Sequence, residues 1–160
     1  MTMARGVHLL NLLTFLTGRH PVEVTAMTDG QRADRPLEET ALAILRLPGD
    51  LFGVLVASRL FPGAESSLVL FGSEGRVQAL GTLSTDPTGS MEVSTATQAR
   101  QASYSDADPY QLQIEAFNRS VTEDVEPSAS GIDGLNVVRL TEALLESART
   151  GTTVAPACPR

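Results

Sequence analysis

The chain has 160 residues, room for one domain that buries roughly two thirds of its unfolded surface. Its 12 basic residues, every one an arginine, stand against 19 acidic ones, for a formal net charge of -7 with no basic run. Phosphate neutralisation is missing, which excludes nucleic acid and an anionic membrane surface as partners.

Apolar residues make up 42% and charged residues 19%, an ordinary globular balance. The lone cysteine, Cys158, cannot form an intrachain disulfide and reads as incidental. The apolar stretch near the start lacks a cationic lead and falls short of the ~20 residues of a bilayer span. A soluble, cytoplasmic protein is expected.

In chain order, Gly6 to Thr17 (GVHLLNLLTFLT) reads as a helix ending at Gly18. It is greasy on nearly every side, so it should be buried, either wrapped by the rest of the chain or covered by a preceding domain. Pro21 to Met27 alternates as a short strand, and Asp29-Gly30 marks a turn. Thr40–Leu47 and Leu51–Ser58 form a hairpin across Pro48-Gly49-Asp50. Apolar residues on both parities of the second strand point to cover on both faces. Leu68–Phe71 and Val77–Leu80 pair across Gly72-Ser73-Glu74-Gly75, and Ser90–Ser94 reads as a further short strand. Thr95 to Ala107 reads as loop.

Two helices close the domain. Asp108, Pro109 and Gln111 start one, with Tyr110, Ile114, Phe117 and Val121 on one face. Ser130 and Asp133 form a capping-box pair ahead of the other, which Gly151 ends before a final short strand. The order implies an α+β fold: an open, largely antiparallel sheet with helices packed on one face. Residues 1–155 are read as the domain and 156–160 as a flexible tail.

If the first helix reaches back to residue 4, Ala4, His8 and Asn11 share a stripe within roughly 60°. His8 can exchange a proton near neutral pH, as alcohol–ketone interconversion requires. Asn11 can orient a hydroxyl or fix the tautomer of His8. The alternative is a core histidine bonded to backbone. Arg5, beside the helix start, Arg46 and Arg59 are candidates for a polar ligand, the last two also for salt bridges across the sheet. His20, before Pro21, reads as a loop residue. No metal site, nucleophile elbow, GxGxxG or GxxxxGK[ST] is present, and a lysine acid is excluded because the chain contains no lysine.

The ordered pieces carry a resemblance. They are Gly6-x-His8 on a Leu-rich helix, Pro21 to Ala26, two long strands, and Gly72-Ser73-Glu74-Gly75. A Tyr110/Phe117 helix and a Ser130-x-x-Asp133-Gly134-Leu135 helix ending Ser147-Ala148-x-x-Gly151 complete the set. Together they resemble the C-terminal, substrate-side domain of the Gfo/Idh/MocA oxidoreductases over about residues 4 to 155.

Family members join this domain to an N-terminal Rossmann domain that binds NAD or NADP and carries a catalytic lysine. They act on a hydroxyl or carbonyl of a sugar or cyclitol. The resemblance places the family's histidine at His8, its glycine at Gly6 and the following Asp/Asn at Asn11. Ala4 stands where the family has aspartate. It implies His8 as the catalytic residue and Asn11 as substrate-binding; Arg5 is read as substrate-binding from its place beside the helix start, and no cofactor or metal is expected to be held by this chain. The partners implied are a polyol or sugar, a separate Rossmann subunit and a second copy through the sheet face. The isolated chain is expected to be inactive. The alternatives are a non-catalytic dimerisation or small-molecule-binding module, or a truncated remnant.

Overall fold

The computed structural model describes residues 5–29, 37–61, 65–83, 89–102 and 108–157. The elements are α1 (Val7–Thr17), β1 (Glu23–Thr28), β2 (Thr40–Leu47), β3 (Leu51–Ser58), β4 (Ser67–Gly72), β5 (Gly75–Leu80), β6 (Ser90–Thr95), β7 (Ala99–Ala102), α2 (Pro109–Glu123) and α3 (Gly131–Thr150). The fold is α+β with open antiparallel sheets, as the alternation and short hairpin links require. The strands fall into two sheets, β1-β2-β3 and β4-β5-β6-β7. The chain correspondingly divides into unit 1, residues 1–62 with 129–160, and unit 2, residues 63–128.

In unit 1 the hairpin closes with Leu47 opposite Leu51 across Pro48-Gly49-Asp50. Gly49 (φ 77°) and Asp50 (φ 56°) both take left-handed backbone there, the geometry that matches strand twist. Arg19 Nη1 donates to Pro48 O at 2.8 Å and packs where a Cβ on Gly49 would stand.

One parity of the sheet, Val24, Ala26, Ala43, Leu45, Leu47, Leu55 and Ala57, faces the helices and joins Leu10, Leu140, Ala143 and Leu144 in the core. The other parity is also apolar but open: Met27, Leu42, Ile44, Phe52, Val54 and Val56 are all exposed. The two-sided pattern of β3 is real, but its second face is uncovered by any described residue. Both helices of this unit therefore lie on one face of its sheet.

α3 begins with the capping box that the sequence implies: Ser130 Oγ accepts from Asp133 N at 3.2 Å, and Asp133 Oδ2 accepts from Ser130 N at 2.8 Å. It ends at Gly151 in left-handed conformation, φ 68°. That turn sends Val154 back onto β1, where it exchanges two 2.9 Å backbone hydrogen bonds with Val24. The final short strand is thus a single bridge.

In unit 2, Gly72 faces Gly75 in the expected hairpin, and β6 pairs with β5. One expectation fails here, and of the two readings of α1 the wrapped one is not what the described residues show. The stretch read as loop from Thr95 contains β7, because Ala99–Ala102 finds a ready partner in Met91–Ser94. Pairing there overrides the weak strand preference of Ala-Arg-Gln-Ala. And α1 is not wrapped by the described residues. Leu10 is fully buried and Leu9 and Leu13 lean on the core, but Phe15 is 75% exposed and Leu16 is exposed too.

Candidate functional site

α1 has one buried side and one open side, and the candidate residues stand on the open one. At 100° per residue Leu10 lies nearly opposite His8, so seating Leu10 in the core turns His8 outward. Asn11 projects beside it, and both are exposed. Neither side chain finds a hydrogen-bond partner among the described residues. The backbone-bonded core histidine is therefore not what the fold builds.

α1 rests low on the sheet. A Cβ on Gly53 would come within 3.1 Å of Leu13 Cδ2, so the glycine leaves the space that Leu13 fills. The helix starts at Gly6 without a side-chain cap. Just before it, the exposed Arg5 donates from Nη1 to Ser58 O at 3.5 Å, which ties the helix start to the end of β3. Ala4 lies outside the described residues, as does Cys158.

The end of β3 holds a polar cluster of which sequence reading gave only a salt bridge at Arg59, without its partner. Arg59 donates from Nε and Nη2 to Glu39 Oε1 at 2.9 and 2.7 Å. Thr40 Oγ1 and Ser58 Oγ share a 2.8 Å hydrogen bond. Asp29 Oδ1 accepts from Glu39 N at 2.8 Å and Thr40 N at 2.7 Å. Those backbone donors, Thr40 first, hold the Asp29 carboxyl below its usual range. The partners of Asp29 lie ten and eleven residues away, so Asp29-Gly30 signalled only a turn.

Arg46 is likewise engaged: its Nε donates to Glu23 Oε2 at 2.8 Å across the β1–β2 register. That hydrogen bond, with the charge behind it, lowers the carboxyl of Glu23. Of the two readings open for Arg46 and Arg59, both take the salt bridge. His20 is an exposed loop residue, as read. Among the described residues no three metal-ligating side chains converge, and no helix is long and apolar enough to cross a membrane.

Unit 2 carries a shallow, open depression of about 350 Å³ beside the β4–β5 hairpin, bordered by Leu70, Phe71, Glu74 and Arg76. Its polar lining is Glu74, Arg76, Ser94 and Thr95, all of unit 2. It holds no acid–base pair suited to catalysis.

A dinucleotide needs a parallel strand–turn–helix whose helix N-terminus receives the pyrophosphate. Every pairing between the described strands is antiparallel, and among the described residues no glycine-rich turn joins one of them to a helix. The described residues do not fit NAD or NADP.

Residues 1–155 match the family described as "Oxidoreductase family, C-terminal alpha/beta domain", and the chain belongs to it. Over 84 residues it is 32% identical to D-xylose 1-dehydrogenase (NADP(+)) 2 of Haloferax volcanii, a match spanning 51% of this chain and 26% of that protein.

The fold superimposes on aldose-aldose oxidoreductase from Caulobacter crescentus, solved with glycerol, at a TM-score of 0.87 and 23% identity. That match covers 96% of this chain and 47% of the other. UDP-N-acetylglucosamine 3-dehydrogenase from Acidithiobacillus ferrooxidans gives a TM-score of 0.78 at 18% identity, over 90% and 45% of the two chains. These likenesses show the fold, and the chain spans about half the length of such structures or less.

Proposed function

We propose that this chain is the substrate-binding and dimerisation half of an NAD(P)-dependent oxidoreductase acting on a sugar or cyclitol hydroxyl or carbonyl, silent until a nucleotide-binding half is supplied. The observation that carries the reading is His8: on the helix where the sequence resemblance sets the family's histidine, it stands exposed with no hydrogen-bond partner among the described residues.

In this reading His8 gives or takes the proton of the reacting oxygen. Asn11 orients a neighbouring hydroxyl, and Arg5 holds a ring oxygen near the end of β3. The hydride partner belongs to the other half, since nothing described in this chain fits it. The carbohydrate names of the relatives, a xylose dehydrogenase, an aldose oxidoreductase and a sugar-nucleotide dehydrogenase, support the substrate class.

A second copy joins through the open parity of the unit 1 sheet. Six exposed apolar side chains on one face are the kind of patch that soluble monomers rarely leave bare. Size-exclusion chromatography should show a dimer that Val54→Glu dissociates.

Supplied with a matching nucleotide-binding half, the chain is expected to support NAD(P)-dependent turnover of an aldose or polyol. His8→Ala should lower kcat by roughly 10²-fold or more, the usual worth of a positioned acid–base group. Asn11→Ala should raise KM more than it lowers kcat. The other reading, a binding module without chemistry, draws on Ala4 replacing the family's aspartate. It wins if turnover with the partner is indifferent to His8→Ala. Saturable turnover by the lone chain would refute both.

A further inference from the structure

Of the side chains on the open side of α1, only His8 and Asn11 enter the proposed chemistry. At 100° per residue Phe15 lies about 20° from His8 and about 40° from Asn11, so the three form one strip along the helix. Seating α1 does not require Phe15. Leu9, Leu10 and Leu13 meet the core from the other side, while Phe15 is 75% exposed. The strip is flanked by Leu12, half-buried, and by the exposed Leu16.

Spacing separates the three. Phe15 stands one turn beyond Asn11, at the four-residue interval that makes helix side chains neighbours. It stands two turns beyond His8, about 10 Å along the axis. Side chains on a helix lean toward its N-terminus, so His8 and Phe15 lean together and the gap does not close. A hydroxyl exchanging its proton with His8 must lie within about 3 Å of the imidazole. The sugar ring that bears it covers His8 and Asn11 and ends short of Phe15. A second ring linked to the first reaches it.

We propose that Phe15 is the floor of a second sugar subsite, and that the substrate is a two-ring glycoside. Its reacting ring sits at His8 and Asn11, and its neighbour stacks on Phe15. A sugar ring has a hydroxyl rim and a C–H face, and an open aromatic side chain takes the face while leaving the rim in water. The make-up of the strip favours this occupant over a protein surface. A protein surface pressed along the whole strip would bury an imidazole and a carboxamide that have no hydrogen-bond partner among the described residues, which is unfavourable for each. A glycoside offers hydroxyls to both and an apolar face to the third. The inference rests on the proposed carbohydrate reading and narrows it.

The test titrates D-xylose and xylobiose into the full chain while NMR follows the His8 imidazole, the Asn11 amide and the Phe15 ring. Xylobiose should move all three and bind about fivefold tighter than D-xylose, the worth of one aromatic stack. D-xylose should leave the Phe15 ring unmoved. Phe15→Ala should abolish the preference and Phe15→Tyr should keep it, with far-ultraviolet circular dichroism unchanged in both.

Equal affinity for the two sugars, or a preference that survives Phe15→Ala, overturns the second subsite and leaves the carbohydrate reading standing. Silence at His8 and Asn11 with both sugars overturns the two together.

Discussion

In unit 1 a three-stranded sheet is backed by α1 and α3, whereas in unit 2 no residue of α2 is buried. Of the thirteen apolar residues buried among those described, twelve belong to unit 1, and the thirteenth is Ala79 on β5. Unit 2 has the right pattern for a half-buried sheet. Leu68, Ala79, Met91 and Ala102 align across one row, and Leu70, Val77 and Val93 across the next. Yet most of these side chains remain half-buried, and Tyr110, Ile114, Phe117 and Val121 of α2 are each more than 60% exposed. The difference teaches that alternation makes a strand, but a second packed layer makes a core.

The largest effect that would test this contrast is Leu45→Ala. It empties a fully buried site in unit 1 and should cost about 2–5 kcal/mol in a denaturant melt. An effect below about 1 kcal/mol would mean the core is looser than its burial implies. Next comes Ser147→Ala, which orphans Ala26 N–H and Thr152 C=O and should cost about 1–3 kcal/mol.

Acid should also discriminate between the units. Among the described residues, the carboxyls held below their usual range, Glu23, Asp29, Asp133 and Glu146, all lie in unit 1. The causes are Arg46 for Glu23, the Thr40 and Glu39 amides for Asp29, Ser130 for Asp133, and Arg149 for Glu146. A lowered carboxyl stabilises the fold above its unfolded pKa, and that contribution fades as pH falls through the folded value. Stability of unit 1 should therefore be complete at neutral pH and decline as pH drops below about 4. Hydrogen exchange resolved by segment should show β1, β2 and α3 loosening there, with β4–β7 little changed. The smallest effect belongs to unit 2: Phe71→Ser, at a side chain 79% exposed, should stay within about 0.5 kcal/mol.

What was legible in the sequence follows the reach of the forces. Pro48-Gly49-Asp50, Gly72 to Gly75 and the Ser130/Asp133 box act within a few residues, so their turns and cap could be read directly. β7 was not, since Ala99–Ala102 becomes a strand only by meeting β6. Nor was the division into two sheets, or which parity of β3 would lie open. On the candidate site, spacing grouped His8 with Asn11, and the burial of Leu10 turns both outward. A salt bridge at Arg59 was offered, but Glu39 as its partner and the Asp29 contacts were hidden because they are joined through the sheet. Ser147 looked like one more polar residue near a helix end. Only the tertiary fold shows it standing in for a strand.

The hollow at Gly53 has a practical consequence. Because Leu13 fills it, the height at which α1 rides over β3 is set by an atom that is missing. Gly53→Ala asks the Leu13 side chain to yield by a few tenths of an ångström, while the turn bearing His8 keeps its own sequence. Position 53 is thus a fine-adjustment screw beneath the imidazole, reached from the sheet and not from the helix.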